Sequence, residues 1–398
     1  MIRKIADNIY SPLGGTTDEN YAAVKVGRSM LRSYPAGTMD LPEPFTASLF
    51  DWSRVGLLDG YTRFESICIQ SVGRALEQAG VDAASERLLF VLATTKGNVE
   101  LLDNRSSQFP DSLQFPDNRI QQFPENRVLL GETARQIARH FGFCNEPLVV
   151  SNACISGLSA QITAMRLLES GRYDTAVVCG ADVQSRFIIS GFGSFKALSP
   201  MECRPFDIER VGLNLGEAAA TIIYERGECE EHGERGAWQP VRGAVRNDAF
   251  HISGPSPKGE GSYRAIVAAL GDDSKEELAF INVHGTSTMY NDEMESAAID
   301  RAGLLDVPVN SLKGYYGHTM GAAGVLETIL SMCAVEDGCI LATRGYEELG
   351  VSHRVKVSAR HGSTTKQAFI KLLSGFGGCN AAMLFRRPAL SEGCLNRQ

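Results

Sequence analysis

Short apolar runs of strand length alternate with longer stretches in which apolar residues recur every three or four positions. Leu88 to Ala93, Leu148 to Val150, Thr175 to Cys179, Ala218 to Tyr224, Ala279 to Val283, Val309 to Leu312 and Phe369 to Leu373 read as strands, most of them buried on both faces. Tyr61 to Ala79, closed by Gly80, reads as a helix, as do Leu129 to Phe141, Ala265 to Leu270 and Met320 to Val335. Leu158, Ile162, Met165 and Leu168 mark another helix, and Asp292 and Glu295 lead one more. The Thr-Thr-Asp-Glu-Asn run offers an N-cap for a helix over Tyr21 to Val26. Phe192 to Pro200 reads instead as a glycine-, serine- and aromatic-rich connection. This alternation predicts an α/β architecture with helices over both sheet faces and reactive groups at the carboxyl ends of the strands. The second half repeats the plan of the first. The acidic, glycine-bearing stretch 227–239 is the expected linker between an N-terminal half, 1–226, and a C-terminal half, 240–398.

Length and charge narrow the function classes. At 398 residues the chain buries a large core, and its net charge of -8 argues against nucleic acid as a partner. No run approaches the roughly 20 apolar residues of a membrane span, so no membrane partner is expected. Ten cysteines without a Cys-x-x-Cys pair, and no signal peptide at Met1 to Tyr10, predict a reducing cytoplasm. Cys229 and His232 lie in an acidic, glycine-rich stretch with no second ligand pair, which reads as a solvated loop rather than a metal site. One segment stands apart. From Asp103 to Arg127 a theme recurs as Phe109-Pro110-Asp111, Phe115-Pro116-Asp117 and Phe123-Pro124-Glu125. Each proline pushes its phenylalanine out of the helical region, and the three rings are expected at a subunit contact or lining a pocket.

Three residues carry the candidate chemistry. Cys154 falls at the break between strand and helix, where unpaired amide groups and a partial positive charge favour thiolate. Gly157 lets another backbone or a substrate approach that turn. His284 and His318 each follow a predicted strand within a glycine-flanked motif. Taken singly, each has a plainer reading as an inert buried cysteine or a satisfied structural histidine. Together, three strand-end motifs are hard to ascribe to accident. A thiolate attacks a thioester carbon to give a covalent acyl intermediate. Two histidines without a partner carboxylate suit the stabilisation of a developing oxyanion more than the activation of water. Thr286 and Thr288 offer hydroxyls to the amides of an extended arm, and Lys313 and Glu327 supply nearby charge.

The segments SNACISGLSA, VHGTSTMYNDEMES, SLKGYYGHTMGAAGVLE and GFGGCNAAMLF resemble the signature segments of the elongating β-ketoacyl-acyl-carrier-protein synthases. FGSFKALSPMECRPFD and NDAFHISGPSPKGEG are similar as well, so the resemblance covers roughly residues 140 to 386. It implies a thiolase-like fold, two similar βαβαβ halves in five layers, and decarboxylative Claisen condensation with malonyl carrier protein in fatty-acid, polyketide or aryl-polyene-type biosynthesis. It further implies that Cys154 accepts the acyl group, while His284 and His318 promote decarboxylation and stabilise the enolate. Lys313 and Glu327 would order the site, and Thr286 and Thr288 would hold the phosphopantetheine arm. Phe376 would gate the site, its amide joining that of Cys154 in an oxyanion hole. No bound cofactor or metal is implied. The implied partners are acyl carrier protein and a second subunit, in a homodimer or in a heterodimer with a related subunit. Three departures stand out. The family's opening strand motif is absent, so the first residues are expected to pack differently. Ser374 replaces a phenylalanine of the gate, and the Phe-Pro-Asp segment has no counterpart. The competing readings are a catalytically silent chain-length-factor-like partner and a thiolase-like or chain-initiating enzyme using coenzyme A thioesters.

Overall fold

Two large sheets carry the chain, and both are wound in the same order. In the computed structural model, which describes residues 1–102, 123–227 and 237–388, the first sheet runs Ile2–Tyr10, Ala218–Arg226, Thr175–Asp182, Leu88–Ala93, Leu148–Val150. The second runs Gln239–Asn247, Cys379–Arg386, Ala368–Gly375, Leu278–Asn282, Pro308–Asn310, with Lys356–Val357 added at its edge. In each the first strand pairs antiparallel with the last, the last antiparallel with the one before it, and the remaining pairings are parallel. One consequence decides the site. The third strands of the two sheets, Leu148–Val150 and Pro308–Asn310, are topological equivalents. Cys154 follows one and His318 the other.

Alternation along the strands assigns the layers. In Leu88–Ala93, Leu89, Val91 and Ala93 face one core, while Leu88, Phe90 and Leu92 face another. The first core also holds Leu158 and Ile162 of the helix Ser156–Glu169, Leu326 and Leu330 of Ala323–Glu336, and Phe280 and Met383 of the second sheet. These two helices therefore form the layer between the sheets. The helices Arg63–Ala79 and Leu130–Phe141 cover the outer face of the first sheet, and Glu260–Leu270 and Met289–Arg301 that of the second. The result is five layers, α-β-α-β-α. A helix buried on all sides must be apolar all round, and Ala323–Glu336 meets that condition with Val325, Leu326, Ile329, Leu330 and Met332 fully buried. Glu327 is the ionised exception. The two middle helices touch through glycine: a Cβ on Gly324 would lie 2.2 Å from the Leu158 amide nitrogen, and one on Gly157 2.6 Å from the Gly321 carbonyl oxygen.

Two expectations need correction. The opening strand is present despite its altered sequence, pairing from Ile2 with Arg226 to Tyr10 with Ala219. Its edge position tolerates the polar residues, since Arg3 reaches Glu225 at 2.9 Å while Ile2, Ala6 and Ile9 are buried. Arg186–Ser194 forms a helix, capped by the Ser185 hydroxyl accepting from the Ile188 amide, that takes in Phe192 to Ser194, the start of the expected connection; the rest of Phe192 to Pro200 is non-helical as expected. Among the described residues, no helix is long and apolar enough to cross a membrane.

Phe109 and Phe115, and most of the stretch 227–239 with Cys229 and His232, lie outside the described residues. Phe123 does not: its ring is half-buried and lies 5.5 Å from the Arg127 guanidinium carbon. Arg127 is in turn bidentate to Glu65, both bonds 2.7 Å, at the start of Arg63–Ala79. Removing one partner of a buried pair strands the other, so Arg127→Ala should cost about 3–5 kcal/mol. Urea denaturation of the variant checks this.

Candidate active site

Three strand ends converge. Sγ of Cys154 and one nitrogen each of His284 and His318 lie within 4.8 Å of one another, all buried. The imidazoles meet edge to face, with centroids 4.8 Å apart. They line a cavity of about 550 Å³ together with Thr286, Thr288, Ser374 and Phe376. Size and largely apolar lining suit a small organic group entering on an extended arm. At the mouth, Phe376 packs against Phe192 and Phe195 at 5.7 and 5.3 Å between centroids. Ser374, which stands where the family resemblance implies a phenylalanine, donates to Oδ1 of Asn380 at 2.8 Å.

Backbone strain marks all three segments that meet at the cavity. Ala153, Ser287 and Met320 have φ of 44°, 69° and 47°. Non-glycine residues held there cost about 1–3 kcal/mol each, so the surroundings must fix these turns. Buried carboxylates do so around Ser287 and Met320, and the Ser156 hydroxyl donates to the Ala153 carbonyl at 2.6 Å. Glu295 accepts from the amides of His284 and Gly285, both at 2.7 Å, and Asp292 accepts from Ser287 at 3.1 Å and Phe206 at 2.8 Å. Asp182 accepts from the Gly321 amide at 2.7 Å and from Thr94 at 2.8 Å. In the sequence Asp292 and Glu295 read only as helix-leading acids. Their hold on the His284 loop emerges from the three-dimensional contacts.

The histidines are poised as neutral donors. Burial first, then the Lys313 ammonium, holds both well below the usual imidazole range; Lys371 adds to this, as does His318 in the case of His284. The Met320 amide donates to Nδ1 of His318 at 3.4 Å, which leaves the ring proton on Nε2. Among the described residues, that Nε2 is buried without a partner, and so is Nδ1 of His284. Both rings line the cavity, and an imidazole N–H that no protein group accepts from is free to donate to an incoming oxygen.

Cys154 departs from expectation. Burial, then the neighbouring Cys379, pushes its thiol up to about 12, although Lys313 and Lys96 act in the opposite direction. The proximity of the helix does not make a standing thiolate. The thiol must lose its proton during attack, with a neutral imidazole beside it to receive one. A Cβ on Gly375 would meet the Cys154 amide nitrogen at 3.1 Å, which shows how closely the Phe376 turn approaches. The hydroxyls of Thr286 and Thr288 lie 2.9 Å apart.

Behind the histidines sits a buried charge cluster. Lys313 contacts Oε1 of Glu327, and Lys371 contacts Oε2 at 2.6 Å. Burial alone would raise the Glu327 pKa, but the two ammoniums outweigh it and hold the carboxyl below its usual range. Sequence reasoning found Lys313 and Glu327 and missed Lys371. Its signal was a lysine inside the buried run Ala-Phe-Ile-Lys-Leu-Leu.

Neutral buried histidines also couple to stability. Their folded pKa values lie below the ordinary 6.5, so the unfolded chain binds protons first as pH falls. Stability should therefore drop as pH is lowered through about 6.5. Melting temperatures across that window should fall less in His284→Asn or His318→Asn than in the parent.

Two family models match: "Beta-ketoacyl synthase, N-terminal domain" over residues 10–229 and "Beta-ketoacyl synthase, C-terminal domain" over 241–347. The tetracenomycin polyketide synthase ketoacyl synthase alpha subunit of Streptomyces glaucescens is 32% identical, covering 82% of each chain. The 3-oxoacyl-[acyl-carrier-protein] synthase 2 of Vibrio cholerae is 29% identical over 95% of this chain and 96% of the relative. Among solved structures, a ketosynthase (ApeO) in complex with its chain length factor (ApeC) from Xenorhabdus doucetiae superimposes with a TM-score of 0.84. It is 26% identical and covers 97% of this chain and 98% of that one.

Proposed function

Because the chain belongs to the β-ketoacyl synthase family, we propose that it elongates an acyl group by decarboxylative condensation with malonyl carrier protein. The observation that carries this reading is the buried thiol beside two neutral imidazoles that line the same cavity. Cys154 attacks the acyl thioester carbon, and the departing carrier thiolate takes the proton that the cysteine gives up. The malonyl group then loses CO2, and its electrons pass to the thioester as an enolate. A neutral imidazole, His318 through Nε2–H, donates to the enolate oxygen and His284 supports it. The enolate attacks the Cys154-bound carbonyl, the cysteine leaves as thiolate, and protonation restores the thiol.

Around that chemistry the supporting roles follow. The amides of Cys154 and Phe376 form the oxyanion hole, Phe376 gates the mouth, and Thr286 and Thr288 hold the phosphopantetheine arm of the carrier. Residues 1–226 supply the nucleophile and 240–398 both histidines, with 227–239 between them. The partners are acyl carrier protein and a second subunit, identical or related, as in the ketosynthase and chain length factor complex. A reducing cytoplasm suits a catalytic thiol. Retention of Cys154 with both histidines weighs against a silent partner subunit. The pathway is fatty-acid or polyketide-type.

Incubation with acyl-carrier thioesters of graded length and malonyl carrier protein should release CO2. It should also give a carrier-bound β-ketoacyl product two carbons longer. Turnover confined to coenzyme A thioesters, or release of free acid without CO2, contradicts the reading.

A further inference from the structure

We propose that Lys371 is a positioning residue for condensation, its buried ammonium clamping the strand end that presents His284 to the helix that carries Glu327. The proposal rests on the condensing reading above and names a device within it. Nζ of Lys371 donates to the carbonyls of Leu372 at 2.9 Å, Val283 at 3.2 Å and Asn282 at 3.5 Å, and reaches Oε2 of Glu327 at 2.6 Å. Four oxygens therefore surround a fully buried cation. Val283 directly precedes His284, and Asn282 is the register partner of Lys371 across the parallel strands. The ammonium thus fastens the two carbonyls before His284 to the layer beneath them.

The fold alone does not require this charge. An apolar side chain would complete the buried run Ala-Phe-Ile-x-Leu-Leu, and burying an ammonium is unfavourable unless polar contacts offset it. Lys313 already pairs with Glu327. A second cation leaves the cluster of Lys313, Glu327 and Lys371 with one net positive charge behind the imidazoles. The charged groups facing Lys371 are Glu327, Lys313 and Glu295. Those acting on the histidines are Lys313, Lys371 and, for His284, also His318. Excess positive charge there disfavours imidazolium and so keeps both rings in the neutral, donating form. One side chain thereby serves orientation and protonation state together.

The experiment compares wild type, Lys371→Ala and Lys371→Met, reading acylation of Cys154 and carrier-bound β-ketoacyl product separately. The methionine variant keeps the aliphatic stem and fills the space. Both variants should acylate Cys154 within about threefold of wild type but condense about 100-fold more slowly, as loss of orientation does. The acid limb of the condensation rate should move to higher pH. Methylammonium chloride should partly restore condensation in Lys371→Ala, where it fills the vacated cage, and not in Lys371→Met. Condensation within about threefold of wild type in the methionine variant overturns the proposal. So does equal loss of both half-reactions with an unmoved acid limb and no response to methylammonium, which would leave Lys371 a purely structural residue. Wild type that acylates but never condenses defeats the parent reading instead, so the two failures are distinct.

Discussion

Cys154→Ala should leave a folded protein that takes up no acyl group and forms no β-ketoacyl product. Cys154 is placed by the turn between Leu148–Val150 and Ser156–Glu169, with Ala153 held at a φ of 44° immediately before it. The side chain is small, and a methyl in place of a thiol disturbs little packing in a site that opens on the cavity. The chemical loss is complete, because covalent catalysis has no substitute nucleophile at that position. Seven other described cysteines are free, with only Cys144 exposed, so loading must be mapped to a residue and not merely counted. Cys379 is the informative control, lying near Cys154 with its own thiol pushed up to about 11, chiefly by burial. Acyl loading at Cys379 or Cys179 in the variant, at the rate seen for the parent, would contradict the assignment.

His284→Ala and His318→Ala should each slow condensation by about two to three orders of magnitude, the effect of removing an oxyanion donor. Acylation should survive better in both variants, because enolate formation belongs to the second half-reaction. The two need not be equal. His318 presents Nε2–H through the Met320 contact to Nδ1, so its loss removes a fixed donor. His284 is held through its backbone by Glu295 and lies next to the carbonyls clamped by Lys371. Single-turnover assays that separate loading from condensation check this. Equal loss in both half-reactions would make the histidines fold elements.

The strand ends that bear Cys154, His284 and His318 were legible because parallel strands announce themselves as continuous apolar runs, and each run is followed by its reactive residue, directly for His284 and after a short turn for the other two. The α/β alternation with helices over both sheet faces followed from those runs and the helical periods between them, while the five-layer stacking was implied only by the family resemblance. Other features were hidden for physical reasons. Ile2–Tyr10 is an edge strand, so its polar residues dilute the pattern without breaking the ladder. Arg186–Ser194 is helical although two glycines lower its propensity, since packing of Ile188 and Ile189 overrides that preference. Lys371 was visible as a misplaced charge, but its partner is Glu327 on another element, a pairing that only the fold reveals. The Cys154 thiol read as activated by its helix, yet burial of the whole site acts in the opposite direction. Periodicity shows which face is buried. It does not show how deeply a turn residue will sink.

The most direct test of the account is a two-step experiment on the intact wild-type protein. It is first exposed to an acyl-carrier thioester, freed of carrier, and weighed by mass spectrometry with peptide mapping. It is then chased with malonyl carrier protein. One acyl group should appear on the peptide containing Cys154. The chase should remove it with release of one CO2 and formation of the carrier-bound β-ketoacyl product. An acyl group on any other cysteine, or an adduct on Cys154 that the malonyl carrier leaves in place, would contradict the proposed condensation.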